Sequence, residues 1–288
     1  MPTADERVLR TAGVEKRTYA MLVAFDGGPY KGWQPHPALA TAGGLLASAL
    51  HRAGVRANPF GASRTDAGVH ARAQVASFTT KAGLDPQRTW TLLNQELPNT
   101  IHAVALRRAA RSFHAHWSSC GKVYRYRISF RPERAAWCLP PSPLRPTPLD
   151  PIRLEQALGM IEAAPDVSAL SESHDDKARK VRAARLLRFD DTGALLELEA
   201  AGFGKYLVRN LVAASVALAT GAITTDGLGD ILGGRAKKPR RAPPDGLCLH
   251  RVLYPPQLDP FDDADALASR AEAALPILSA FRSTGPRI

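Results

Sequence analysis

Six of the twelve residues from Pro140 to Pro151 are proline, so neither a helix nor a central strand passes through the middle of this chain. What flanks that stretch reads as two similar runs of alternating elements. Ahead of it, the apolar run from Tyr19 to Phe25 stops at the turn signal Asp26-Gly27-Gly28-Pro29 and predicts a strand. Leu45, Leu46, Ala49, Leu50 and Ala53 recur at helical spacing before Gly54. Gln74 to Phe78, Ile101 to Leu106 and Val123 to Phe130 predict further strands, and Asp85-Pro86 combines a cap with a first-turn proline to start a helix. Beyond the prolines, Asp150-Pro151 repeats that start, with Leu154, Leu158 and Ile161 on one face. Val181 to Phe189 and Ala194 to Ala200 flank Asp190-Asp191-Thr192-Gly193 as a hairpin, a helix runs from about Lys205 to Ala219, and Leu247 to Tyr254 is a closing strand.

The order predicts an α+β fold of two similar layers with antiparallel sheets. Its divisions are a flexible N-terminal arm over 1–16, an N-terminal half over 17–118, a C-terminal half over 119–256, and an extension over 257–288 that is acidic, then Ala-rich, and reads as a peripheral helix broken at Pro276.

With 38 Lys and Arg against 27 Asp and Glu the formal net charge is +11, a field that attracts polyanions. Charged residues interrupt the first twenty positions, so no signal-peptide core is present, and the longest apolar-rich stretch, the 16 residues between Arg209 and Asp226, falls short of a bilayer span. Three cysteines without a C-x-x-C pair favour neither a disulfide framework nor a zinc ribbon. These features predict a cytoplasmic protein with no membrane segment. His114 and His116 flank Ala115 on one strand face with Cys120 nearby, but a zinc site needs a second ligand pair and none presents itself, so no metal is expected.

The segment with most chemical content is Ser63-Arg64-Thr65-Asp66-Ala67-Gly68-Val69-His70-Ala71, which lies between two strands. One carboxylate among small residues, with an arginine two positions earlier, suits either a catalytic loop or an ordinary turn ion pair between Arg64 and Asp66. Tyr124 suits either sheet packing or a site wall, Trp33 either a core ring or a base-stacking surface, and Arg209 either a snorkelling helix arginine or a buried partner for a carboxylate.

Ser63 to Ala71 resembles the signature loop of the tRNA pseudouridine synthase A family, and four further blocks agree in order. Phe25-Asp26-Gly27 with Tyr30-Lys31-Gly32-Trp33-Gln34, Phe113-His114-Ala115 with Lys122-Val123-Tyr124-Arg125-Tyr126, Val208-Arg209-Asn210, and Ala242-Pro243-Pro244-Asp245-Gly246-Leu247 are similar to its other motifs. The resemblance runs from about Tyr19 to Pro255 and implies the pseudouridine synthase fold, with two similar halves flanking a central RNA-binding cleft. It implies Asp66 as the catalytic carboxylate, attacking or deprotonating the target nucleotide so that uracil leaves through N1, rotates and rejoins through C5. It further implies Arg64 in the space left by the extruded base, Tyr124 on the uracil face, and Arg209 paired with Asp66 to keep it ionised.

The implied substrate is tRNA, at positions 38, 39 and 40 of the anticodon stem-loop, with no cofactor and a homodimeric state. Lys237, Lys238, Arg240 and Arg241, together with Trp33, are the RNA-binding candidates; a second basic group is Lys177, Arg179, Lys180, Arg182 and Arg185. A glycosidase would need a second carboxyl, and the loop around Asp66 supplies none. The chain departs from the family at Thr41-Ala42-Gly43-Gly44-Leu45-Leu46, where a glutamine and a glutamate are lost, and at Tyr206, where the family carries a histidine. Asp166 to Leu170 also keeps little of the family's D-F-x-S-F segment.

Overall fold

The computed structural model describes residues 16–81, 83–139, 148–173 and 177–283. The N-terminal arm through residue 15 and most of the proline-dense connection, residues 140–147, lie outside the described residues.

The strands are β1 (Arg17–Phe25), β2 (Phe60–Gly61), β3 (His70–Thr80), β4 (Ile101–Arg108), β5 (Gly121–Ser129), β6 (Trp137–Cys138), β7 (Val181–Asp190), β8 (Gly193–Ala200) and β9 (Leu247–Leu253). The α-helices are α1 (Ala42–Arg52), α2 (Pro86–Glu96), α3 (Pro151–Ala163), α4 (Leu207–Ala219), α5 (Thr225–Leu232) and α6 (Ala264–Ala274). Both Asp-Pro starts act as read from the sequence. Asp85 accepts from the amides of Gln87 and Arg88, and Asp150 from those of Ile152 and Arg153, each satisfying two of the otherwise orphaned first-turn donors.

The strands form one continuous sheet in the order β4-β1-β3-β9-β5-β8-β7, with β2 added to β3 and β6 to β5. The α+β mixture of helices and sheet is as expected, but the antiparallel sheets expected in two layers are one continuous mixed sheet. The joint between the early and late strands is a short parallel pairing of β3 with β9, His70 against Cys248 and Ala71 against Leu249. The long ladders on either side are antiparallel, β3 with β1 and β1 with β4 on one flank, β9 with β5, β5 with β8 and β8 with β7 on the other. Helix α2 packs on β4 and α3 on β7, and α4 runs beside α3. Twelve of the thirteen residues of α4 are buried, which explains its near-continuous apolar sequence. None of the described helices is long and apolar enough to cross a membrane.

The C-terminal segment is more than a peripheral helix. Helix α6 packs on β3 and β4, and a 3-10 helix at Pro276–Phe281 packs on β3 and β5. Phe261, Leu267, Ala271, Leu275, Leu278 and Phe281 are all buried. Polar pairs pin the same segment: Glu272, 5% exposed, takes Arg72 of β3 on one carboxylate oxygen at 2.8 Å and Arg282 on the other, and Arg125 of β5 donates to the carbonyl of Phe281 at 2.8 Å. Removing Glu272 leaves Arg72 in a nearly dry site without its counter-charge. Glu272→Ala is therefore expected to cost about 3 kcal/mol of unfolding free energy, near the lower end for a broken buried pair, read as a lower denaturation midpoint in urea.

Candidate active site

The loop from Ser63 to Val69 is bonded to its surroundings at several points along its length, which favours one conformation for a glycine-containing turn. It enters from β2, where the Ala62 amide donates to the Val75 carbonyl at 2.7 Å. Gln74, fully buried in β3, then pairs with the Ser63 backbone from both ends of its amide, accepting from Ser63 N and donating to Ser63 O. Farther along, Trp33 N donates to the Thr65 carbonyl, and Gly68 N to the Tyr30 carbonyl. The Asp26–Trp33 segment thus lies against the loop, and the approach is close enough to require glycine: a Cβ on Gly27 would stand 2.0 Å from the Val69 carbonyl oxygen.

His70 closes the loop. Its Nδ1 accepts from the Gly27 amide at 3.1 Å and also stands 3.1 Å from Asp26 Oδ1, and its Nε2 lies 3.1 Å from the Asp245 carbonyl, in the turn that leads into β9. Asp26 also accepts from Gly28 N and from Arg134. The bond with His70 is the main reason its carboxyl titrates far down, at about 2.

Asp66 sits at the crest of this loop, partly buried, and its partner comes from the other end of the chain. Arg209, the third residue of α4, places Nη1 3.4 Å from Asp66 Oδ2 and is aimed there by a 2.8 Å bond from its Nε to the Ala242 carbonyl. Arg64 is exposed and makes no ion pair with Asp66, so the local turn ion pair is not what forms. Tyr124 rises from β5 with its hydroxyl 2.9 Å from Ser63 Oγ and its ring edge-on to Phe203 at 5.4 Å. Burial pushes its phenol well above the ordinary range, so it stands as a neutral donor or acceptor.

The charge balance at Asp66 differs from the sequence expectation. Arg209 first, then Arg241 and Lys205, pull its pKa down, but loss of solvent outweighs them and the net shift is upward from 3.8. The cations keep a desolvated carboxylate usable rather than making it unusually acidic.

Two candidates are redistributed. Trp33 is 3% exposed, stacked on Phe25 at 5.9 Å, and so close to Gly61 that a Cβ there would meet its indole nitrogen at 2.3 Å. It is a core ring and offers no stacking surface to RNA. The basic run divides in two: Lys238 and Arg241 both bind Glu172, at 3.1 and 2.6 Å, whereas Lys237 and Arg240 are exposed. In the second basic group Arg182 donates to the Cys120 carbonyl and Arg185 to Glu197.

Sequence reasoning misses three residues of the site. Gln74 and Glu172 carry no local pattern that marks them, and Tyr206 stands out only as a departure from the family. It takes a left-handed conformation, φ 62°, at the start of α4, and its ring lies under the Arg241 guanidinium at 3.5 Å with Lys205 at 5.0 Å and Arg209 at 5.6 Å. Asp166 keeps a structural use despite its altered surroundings: it accepts from Ser168 N and Arg179 N and so holds the short 3-10 turn Ser168–Leu170.

Comparison with known proteins bears on the same residues. A family model described as tRNA pseudouridine synthase matches residues 165–255, which include Arg209 and Arg241. The tRNA pseudouridine synthase A of Moorella thermoacetica is 32% identical over 241 residues, covering 81% of this chain and 98% of its own. Those of Aquifex aeolicus, at 29% identity over 82% of this chain and 98% of the relative, and Neisseria meningitidis, at 30% over 84% and 93%, are similarly matched.

Arg209→Ala tests the charge balance. With its strongest opposing charge removed, the Asp66 pKa is expected to rise further, so the acid limb of the rate profile moves to higher pH. Arg209→Lys, which keeps a cation, is expected to recover part of that shift in the same profile.

Proposed function

Because this chain belongs to the tRNA pseudouridine synthase A family, and is an isomerase that makes pseudouridine in tRNA, we propose that Asp66 is its catalytic carboxylate and the anticodon stem-loop, at positions 38 to 40, its target. The observation that carries this reading is the meeting of Asp66 with Arg209 across 143 positions of sequence, beside a buried neutral tyrosine. Such a convergence has no folding rationale that a simple apolar contact would not serve better.

The chemistry balances without an outside reactant. The bond from the ribose C1′ to uracil N1 breaks, the freed ring turns, and C1′ bonds to C5. The C5 proton leaves, N1 gains one, and the mass of the RNA is unchanged. Asp66 serves as nucleophile or base against the ribose or the ring. Its partial burial weakens the hydration shell that otherwise blunts a carboxylate, while Arg209 holds it ionised and oriented. Tyr124 lies against the uracil face, where its hydroxyl assists loss of the C5 proton. Arg64, exposed and in no ion pair among the described residues, fills the gap left by the extruded base, for which a planar guanidinium suits both stacking and phosphate contact.

The two similar halves flank a cleft along the β3–β9 joint in which the RNA lies, and the protein works as a cytoplasmic homodimer, as the family resemblance implies. Lys237 and Arg240 contribute phosphate contacts at the rim, and Lys238 and Arg241 shape the wall through Glu172.

Asp66→Asn is expected to lower pseudouridine formation at the anticodon stem-loop by a factor on the order of 10²–10⁴ or more while tRNA affinity stays within about tenfold. Chemical mapping of pseudouridine together with equilibrium binding reads both. Neutralising Lys237 and Arg240 together is expected to do the reverse. Binding weakens, and the slope of log affinity against log salt becomes shallower by about 0.7–0.9 for each phosphate that is no longer neutralised, with turnover at saturating tRNA largely kept.

A further inference from the structure

Two aromatic side chains are largely exposed among the described residues, Trp117 at 79% and Phe60 at 63%. Isolated exposed apolar groups are ordinary, but these two are joined. The Phe60 ring lies 5.6 Å from that of His114, His114 lies 6.1 Å from Trp117, and His116 stands edge-on to Trp117 at 4.6 Å. The two histidines do not share a strand face as the sequence suggested, because β4 ends at Arg108 and they fall in the turn that follows.

That turn is rigid. Nδ1 of His114 accepts from the amides of His116 and Trp117, and Ser118 exchanges bonds with the His114 backbone in both directions. Its centre is tied to the core through Ala115, whose amide donates to Ser77 Oγ and whose carbonyl accepts from the Tyr254 hydroxyl. The backbone that carries Trp117 and the ring of His114 are therefore held in place before anything binds, which lowers the ordering cost of a contact. With Nδ1 engaged as an acceptor and burial holding the His114 pKa below its ordinary value, this ring is uncharged at neutral pH and offers a face rather than a charge.

The cluster adjoins the Asp66 loop by chain and by bond. Phe60 precedes Ser63 by three positions and Asp66 by six, at most about 20 Å of backbone, and His116 Nδ1 lies 2.9 Å from the carbonyl of Ala62 between them. An enzyme that draws a base out of an RNA stack must offset lost stacking at the target and its neighbours. Aromatic faces do so for any base, because each base has a π-face.

We propose that Phe60, His114 and Trp117 form a stacking surface for unpaired nucleobases of the tRNA, beside the loop that carries Asp66. The proposal rests on that loop being the reaction site. It commits to bases rather than to a second copy of the chain because the patch is small, interleaved with imidazole, and set beside the proposed reaction site of a tRNA-modifying protein of net charge +11.

The test is equilibrium binding of the full chain to tRNA and to short oligouridylate over a salt series, for wild type, Trp117→Ala, Trp117→Phe and Phe60→Ala. Trp117→Ala is expected to weaken tRNA binding roughly ten- to a hundredfold, the range for losing one or two stacked bases. The slope against log salt should be unchanged, since every cation that neutralises a phosphate stays in place. KM should rise by a similar factor with a smaller fall in kcat, and Trp117→Phe should recover most of the affinity. Oligouridylate should quench tryptophan fluorescence in wild type and less in Trp117→Phe. Unchanged affinity in both alanine variants would overturn the proposal, as would a change confined to the salt slope. A drop in the mass of the free protein on Trp117→Ala would also overturn it, by making the patch a subunit contact. The same binding series on Asp66→Asn separates the two readings: turnover kept in that variant would remove Asp66 as catalyst, whereas the stacking result depends on affinity alone.

Discussion

Two residue pairs, His70 with Cys248 and Ala71 with Leu249, are the parallel seam on which the geometry of the site depends. In a parallel pair the segments that enter both strands arrive at the same edge of the sheet. The loop that enters β3 is Ser63 to Val69, and the turn that enters β9 runs from Ala242 to Gly246. The seam therefore sets them side by side. The Ala242 carbonyl can then hold Arg209, the Asp245 carbonyl can meet His70, and the side chain of Pro244 can lie under Gly68. An antiparallel joint would send one of these segments to the opposite edge and separate Asp66 from the helix that carries its cation.

The charge arrangement is a competition between solvent loss and nearby cations. Taking Asp66 out of water favours its neutral form, and Arg209, Arg241 and Lys205 oppose that without overcoming it. Tyr206 gathers the same three cations around one ring, so the residue that replaces the family's histidine keeps a positively charged wall assembled beside the carboxylate. Its left-handed backbone is the kind of strain that persists only where the surrounding structure holds it. Glu172 tempers the wall by binding Lys238 and Arg241, which leaves Lys237 and Arg240 as the exposed charges of that run.

Much of this was legible in the sequence, for local reasons. The Asp-Pro helix starts, the hairpin at Asp190 to Gly193 and the apolar face of α4 are written in neighbouring residues, and the structure uses them as written. The signature loop was recognisable as a block, and the structure brings its Asp66 to Arg209. What was hidden is long-range. A parallel joint of two pairs leaves no periodic trace, so one sheet read as two. The packing of Phe281 and Glu272 against β3 and β5 could not be seen in an Ala-rich segment with scattered acids. Trp33 and Trp117 are the same residue type with opposite fates, one beneath Gly61 in the core and the other on a turn in solvent. Only the tertiary context tells them apart.

The titration of the Asp66 carboxyl is set jointly by burial and by Arg209. Its most direct measurement is a carbon-detected NMR titration of the Asp66 carboxyl in aspartate-labelled protein, in wild type and in Arg209→Ala. The expected result is a midpoint above the ordinary aspartate value of 3.8 in wild type, moving higher when the guanidinium is removed. A wild-type midpoint at or below 3.8, or one that does not respond to loss of Arg209, would contradict it.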